Sequence, residues 1–507
     1  MRIRLIVLVF AVLALQMVEA GRATPGLQAV EERIEDLRTD WEIPGLAVAV
    51  VKDGRTVLTQ GYGIRGLNDR RPIDEHTVFS LASATKSFTA ACVAILVGED
   101  KLSWDDRVID HLPWFRLVDP YVTQAVTLRD ILSHRTGVGR GDMLASSDAS
   151  REETVRGLRK VPFVRGFRTG YAYNNILYTA AGLIVERRSE LSWDDCIRER
   201  VFEPLGMTES YTSPRQMEDL TNVARPHMRL DYREGALVEV EPNRRDNYAA
   251  AGGIRSTAHD LARWLLLQLS GGKAGDKQLI DPTALHETWT PQTLIEPGVF
   301  ETDYPDASFF AYGLGWFMVD YEGEKLLFHA GGGGGYSALV SIMPSRQLGV
   351  AVLANSETWI GTTITNMILD TYLGKADRDW ASEMRQFEPD PEEMTHWYEE
   401  FRAQRVTGTS PSAPFEKYVG SYVHDIYGEV VIERVQGRLV MRRGPLIADL
   451  EHWHYDTFAA YHRSRRIGFD TVTFIPNGAG GIRELILLDV EGFKKAPEPG
   501  EAPGHHD

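Results

Sequence analysis

Residues 45–59 read GLAVAVVKDGRTVLT, two apolar, β-branched runs on either side of Lys52-Asp53-Gly54-Arg55. β-Branched side chains pack well on a pleated surface, and Asp-Gly takes the left-handed dihedrals of a tight two-residue turn. The stretch therefore predicts an antiparallel hairpin, which needs further strands or helices to bury its faces. Candidate partners lie far along the chain, where Tyr336–Pro344 and Leu348–Asn355 form a second strand pair joined through Pro344, Ser345 and Arg346. Strands from both ends of a body covering residues 28–376 are expected to share one sheet, with apolar helices such as Ser83–Val97 packed beside it. The fold class expected is α/β (α+β), an antiparallel sheet flanked by helices, without an internal repeat.

The chain has 507 residues, and a single core rarely grows past about 250–300. More than one domain is expected. Residues 377–412 are charged and then rich in Pro, Ser and Thr, which predicts a partly helical linker. Beyond it, runs such as GEVVIERV, GRLVMRR, DTVTFIPN and RELILL, broken by glycine, suit a small all-β module over 413–490. Residues 491–507 read as a disordered tail. At the other end, Arg2 and Arg4 precede an apolar run from Leu5 to Leu15 and the small-residue site Val18-Glu19-Ala20. This is the layout of a cleavable export signal over residues 1–20, and it implies a periplasmic or secreted protein. No later segment supplies the roughly 20 uninterrupted apolar residues of a membrane span.

A formal charge of −17, from 72 acidic against 55 basic residues, argues against nucleic acid or an anionic membrane surface as partner. The partner expected is a small molecule or short peptide, and a homo-oligomer is left open. Only two cysteines occur, Cys92 and Cys196, and two cysteines far apart in a large domain read as buried residues more readily than as a disulfide. The body over residues 28–376 carries no H-x-H or H-E-x-x-H cluster, so neither a metal nor another cofactor is expected. His505 and His506 in the tail read as incidental.

Three clusters carry chemistry. Ser83-Ala84-Thr85-Lys86 opens an apolar helix and places Ser83 and Lys86 one turn apart on the same face. A serine hydroxyl is a weak nucleophile, and a desolvated lysine beside it can take its proton. Tyr171-Ala172-Tyr173-Asn174-Asn175 supplies Tyr173 and Asn175 in a Y-x-N spacing. A phenol near a lysine cation has its pKa lowered, so Tyr173 is expected to accept and return protons, while the Asn175 amide positions Lys86 and a substrate carbonyl. Phe328-His329-Ala330-Gly331 runs into Gly332–Gly335, ahead of the strand YSALVSIMP. Side-chain-free strand edges let a substrate backbone approach and leave amides free to hold an oxyanion. Each cluster alone also has a structural reading, as a helix start, a packing tyrosine or a flexible glycine loop.

Together, in this order, the motifs S-x-x-K, Y-x-N and H-x-G resemble those of the penicillin-recognising serine hydrolases. The likeness is to the class C β-lactamase-like branch, which also holds esterases and D-amino-acid-acting peptidases. LRDILSHRTGVG (128–139), AAGGIRSTAHDLARW (250–264), YGLGWFM (312–318) and SALVSIMPSRQLGVAVLAN (337–355) extend it over roughly residues 28–376. The resemblance implies that Ser83 attacks a carbonyl after losing its proton to the Lys86/Tyr173 pair, giving an acyl-enzyme that water hydrolyses. It implies an oxyanion hole at the amides of Ser83 and Gly332, substrate contacts at Gly331, and a role for Asn175 in holding the substrate amide or Lys86. It also places His329 where the β-lactamases have a lysine that binds the substrate carboxylate, and Ala330 where a hydroxyl-bearing residue is common. Both departures shift the expectation toward esters or small peptides, including those with D-residues. A β-lactamase or D-alanyl-D-alanine carboxypeptidase, and a non-catalytic binding or scaffold protein on the same fold, remain the alternatives. The motif FEKYVGSYV and the strands after it resemble the lipocalin-like β domain attached to some relatives, where the module can cap the active-site mouth or mediate oligomers.

Overall fold

The computed structural model describes residues 25–142, 144, 149–229, 237–244, 246–296, 303–375, 378–387, 396, 399–444, 446–463, 469–488 and 490–496. The export signal at 1–20 and the His505-His506 pair lie outside these residues. So does most of the predicted tail.

The 45–59 stretch forms the expected hairpin: Gly45–Lys52 pairs with Arg55–Gly63, and Asp53 (φ 49°) and Gly54 (φ 76°) take the paired left-handed conformations of its turn. On its other edge Gly45–Lys52 pairs with Leu348–Ala354, Leu46 standing opposite Ala354. The two ends of the body thus meet in one sheet of eight antiparallel strands. From that strand the order runs through Ser337–Met343, Glu324–Gly332, Phe317–Tyr321 and Phe310–Tyr312 to Thr293–Ile295.

Both faces of this sheet are covered. Ala47, Ala49 and Val51 point into a core shared with the helices Thr85–Gly98, Asn175–Ser189 and Ala258–Leu269. Leu46, Val48 and Val50, one residue out of phase, point into a second core under Pro25–Asp40 and Ile360–Leu373. Strands covered on both sides need no polar alternation, which is why Leu348–Ala354 is buried along its whole length. Cys92 and Cys196 are both free and buried, and their thiols touch each other.

The C-terminal strands close into an eight-stranded barrel over Gly420–Lys495, lined by Tyr418, Tyr422, Phe458, Phe474 and Phe493. Residues 491–495 belong to its closing strand, Val490–Lys495, rather than to a tail. Their glycine and lysines obscured the buried Phe493. The linker also begins later than its composition indicated. Trp380–Arg385 is helical, Trp380 and Met384 are buried in the second core, and Trp380 Nε1 donates to Asp370 Oδ2 at 2.6 Å.

The barrel docks onto the catalytic body through the turn after Gly420–His424. Lys160 Nζ donates to the Asp425 carbonyl at 2.7 Å. Ile426 and Tyr427 pack against the first core.

Candidate active site

Ser83 is delivered by a short, strained approach. Phe79–Ser80 pairs with Arg255–Ser256, the Leu81 amide donates to the Ile254 carbonyl at 3.0 Å, and Ala82 is held at φ 43°. An alanine in the left-handed region is costly and persists only where the surroundings fix it. Ser83 then lies in the turn Ala82–Ala84, which runs directly into the helix Thr85–Gly98.

One turn on, Lys86 is fully buried. Its Nζ lies 3.1 Å from Ser83 Oγ, 2.8 Å from Asn175 Oδ1 and 2.8 Å from the Ala251 carbonyl. Burial holds the Lys86 amine well below its ordinary value of 10.5, the Arg140 cation adds to the depression and Asp142 opposes it. A neutral amine has two N–H donors and one lone pair. In the neutral form that burial favours, Asn175 Oδ1 and the Ala251 carbonyl can take both donors and leave the lone pair facing the Ser83 hydroxyl. The Asn175 amide is oriented by its other end: Nδ2 donates to the Asp142 carboxylate at 3.0 Å, which turns Oδ1 to Lys86.

Tyr173 Oη donates to Ser83 Oγ at 2.8 Å. Its pKa runs opposite to the sequence expectation. Desolvation drives it well above 10, and the bond to Ser83 and the Arg140 cation offset this only in part. The depression expected from lysine fails because desolvation of the phenol outweighs it, and the same burial lowers the pKa of Lys86 itself, 4.8 Å from the ring centre. Tyr173 is therefore a neutral phenol that points its proton at the nucleophile. Between Tyr173 and Asn175, Asn174 caps the helix Asn175–Ser189, its Oδ1 accepting from the Leu177 amide at 2.8 Å.

The glycine run divides by function. A Cβ at Gly331 would lie 2.0 Å from the Leu81 carbonyl oxygen and 3.0 Å from the Ser83 nitrogen, so only glycine lets this strand approach the nucleophile turn. Gly332 ends the strand, and Gly333, Gly334 and Gly335 turn the chain at φ 127°, 66° and 84°. Gly332 and Gly333 line a cleft of about 320 Å³ together with Ser83, Asn175, Asp142, Asn243, Tyr248, Arg255 and Tyr336.

His329 does not reach this cleft. It is 1% exposed, its Nδ1–H donates to the Ala330 carbonyl at 2.7 Å, and its Nε2 accepts from Tyr312 Oη at 2.9 Å. Burial lowers its pKa to about 3. The substrate-binding role assigned by resemblance is thus not met: a neutral ring behind the strand presents no charge to a substrate carboxylate.

Several contributors carried no sequence signal of their own. Asp142 and the Ala251 carbonyl are fixed to Asn175 and Lys86 only by the fold. His134, inside the quoted 128–139 block, is buried, sits at φ 55° and lies 4.4 Å from the Tyr173 ring, centre to centre. His76, Glu209 and His259 bring ligand-type atoms within 4.8 Å of one another, a group the search for sequential metal motifs missed, and none of them lines the cleft.

Comparison with known proteins adds to this geometry. The profile of the family described as Beta-lactamase matches residues 30–369, and a domain of unknown function (DUF3471) matches 404–496. The unguisins hydrolase ungD of Aspergillus violaceofuscus is 28% identical over 443 residues, 79% of this chain and 75% of that protein. Penicillin-binding protein 4 of Amycolatopsis lactamdurans is 30% identical over 345 residues, 64% of this chain and 84% of that protein. The structure of the octameric penicillin-binding protein homologue from Pyrococcus abyssi superimposes with a TM-score of 0.59 at 25% identity, covering 91% of this chain and 98% of that one.

Proposed function

Because the chain belongs to the β-lactamase family of serine hydrolases, we propose that Ser83 is its nucleophile and that it cleaves esters or small peptides, including those with D-residues, through an acyl-enzyme. The observation that carries this reading is the bonding of Lys86. Its Nζ donates to Ser83 Oγ at 3.1 Å and to Asn175 Oδ1 and the Ala251 carbonyl at 2.8 Å each, and in the neutral form that burial favours Asn175 and Ala251 can hold both N–H groups and leave the lone pair for the Ser83 hydroxyl. Proton transfer from Ser83 to Lys86 then reverses one hydrogen bond and leaves the other two in place, so little reorganisation is needed as the hydroxyl attacks. Tyr173, a neutral phenol on the same oxygen, is placed to give its proton to the departing group; in the acyl-enzyme it takes a proton from the attacking water, and Lys86 returns its proton to Ser83 Oγ as the acid is released. The amides of Ser83 and Gly332 are the donors proposed for the oxyanion.

Hydrolysis of β-lactams or of terminal D-alanyl peptides is the weaker reading. His329 offers no cation, and Arg255, the guanidinium on the cleft, is engaged with the carbonyls of Gly252, Gly253 and Ile254. The relatives named unguisins hydrolases align over 79–80% of this chain, which supports a hydrolase. The barrel turn at Asp425–Tyr427, docked on the body through Lys160 and the first core, belongs to this reading as a limit on substrate size. Export directed by residues 1–20 and assembly into homo-oligomers complete it. N-terminal sequencing of protein recovered outside the cytoplasm and mass in solution test these two.

The experiment that tests the core of the proposal is intact mass after incubation with a fluorophosphonate. One adduct on the parent protein and none on Ser83→Ala is expected. A folded parent that stays unlabelled would favour the binding or scaffold alternative.

A further inference from the structure

A second and larger cavity, of about 560 Å³, shares Gly332, Gly333 and Tyr336 with the Ser83 cleft. It lies across the strand Glu324–Gly332. Side chains alternate along a strand, so with Gly331 facing the nucleophile turn, Ala330 and Gly332 face the other way and line this cavity. Cβ atoms at Gly332 and Gly333 would meet nothing within 4 Å, so no side chain closes the rim between the two spaces. Both its size and its apolar lining fall in the range of small-molecule sites.

Its chemistry is one-sided. Tyr304, Phe328 and Trp359 supply aromatic walls, and Asp303 and Glu357 supply carboxylates, with no lysine, arginine or histidine among the described residues of the lining. Neither carboxylate has an ion-pair partner among the described residues. Asp303 is 5% exposed and accepts from Thr362 Oγ1 at 3.0 Å. Burial raises its pKa to about 6. The first turn of Ile360–Leu373 contributes about half a positive charge near Thr362, less than the two carboxylates carry. A buried carboxylate without a counter-cation, beside aromatic faces, is a setting that favours a positively charged guest.

We propose that this cavity is a second substrate subsite, taking an apolar arm that reaches over the Gly332–Gly333 rim and ends in a cation such as a primary ammonium. The inference rests on the Ser83 reading for the word substrate, and its test does not depend on turnover. Ser83→Ala protein is titrated calorimetrically with phenylbutylamine and with its neutral counterpart phenylbutanol. The amine is expected to bind about tenfold or more tighter, the scale of a charge-assisted hydrogen bond. Asp303→Asn, which keeps the shape and the Thr362 contact, should remove most of that preference. Ala330→Leu, which fills the cavity from an exposed position, should weaken both probes. Equal binding of amine and alcohol, or binding indifferent to both substitutions, overturns the proposal. Amine-selective binding together with an unlabelled Ser83 in the fluorophosphonate experiment would instead overturn the hydrolase reading and leave the cation site standing.

Discussion

Replacing Lys86 by methionine and Tyr173 by phenylalanine separates the two groups that touch Ser83. Burial pushes the Lys86 amine well below its ordinary pKa, toward the neutral form that can accept a proton, and its Nζ lies 3.1 Å from Ser83 Oγ. General-base assistance of this kind is worth about 10²–10⁴ in rate, or roughly 3–5 kcal/mol. Tyr173 is pushed the other way, well above 10, so at neutral pH it contributes one hydrogen bond at 2.8 Å, worth about 0.5–1.5 kcal/mol or two- to tenfold. A fluorophosphonate distinguishes them, because its fluoride leaves without needing a proton. Labelling followed by intact mass should slow by about 10²–10⁴ in Lys86→Met and by no more than about tenfold in Tyr173→Phe. On an alkyl ester or amide, whose leaving group must be protonated, Tyr173→Phe should lose considerably more. Methionine leaves Asn175 Oδ1 and the Ala251 carbonyl without donors, at about 1–3 kcal/mol each, so melting curves must show that the variant is folded. The assignment fails if Tyr173→Phe abolishes labelling while Lys86→Met retains most of it.

The same burial predicts pH behaviour. Lys86 is depressed below 10.5 in the folded protein, so the unfolded chain binds its proton first, and wild type should gain stability relative to Lys86→Met as pH rises toward 10.5. For His329, held at about 3 against an ordinary 6.5, the stability is fully present above 6.5 and is lost as pH falls toward 3. Each unit of that gap is worth about 1.4 kcal/mol, so the wild-type melting temperature should drop more steeply through this window than that of His329→Gln. Tyr427→Ala, in the turn that docks the barrel, should raise kcat/KM for bulky esters while leaving that for an acetate ester unchanged; a uniform change would argue against a size filter. Incubation with a chelator should leave hydrolysis intact, since Ser83, Lys86 and Tyr173 need no ion for the proposed steps.

The sequence by itself determined what local chemistry dictates. Asp53-Gly54 specified a tight turn, the apolar runs around residues 46–51 and 348–354 specified strands covered on both faces, and Ser83 and Lys86 were bound to share a helix face because three residues make nearly one turn. The glycine after His329-Ala330 was legible as a place of close approach, and the structure assigns that need to Gly331, packed on Leu81 and Ser83. Tertiary structure alone decided the rest. Which carbonyl faces Lys86 depends on bringing Ala251 across 165 residues of chain, and the orientation of Asn175 depends on Asp142 in a separate loop. The charge states of Lys86, Tyr173 and His329 follow from how completely each is removed from water, a property of the packed molecule. That is why a rule of neighbouring charges gave the wrong direction for Tyr173, and why His329, chosen by its place in a motif, proved to face Tyr312 and the strand backbone instead of a substrate. Sequence spacing sets which groups can meet along one element, but desolvation and the partners of each polar atom are set by elements distant in the chain.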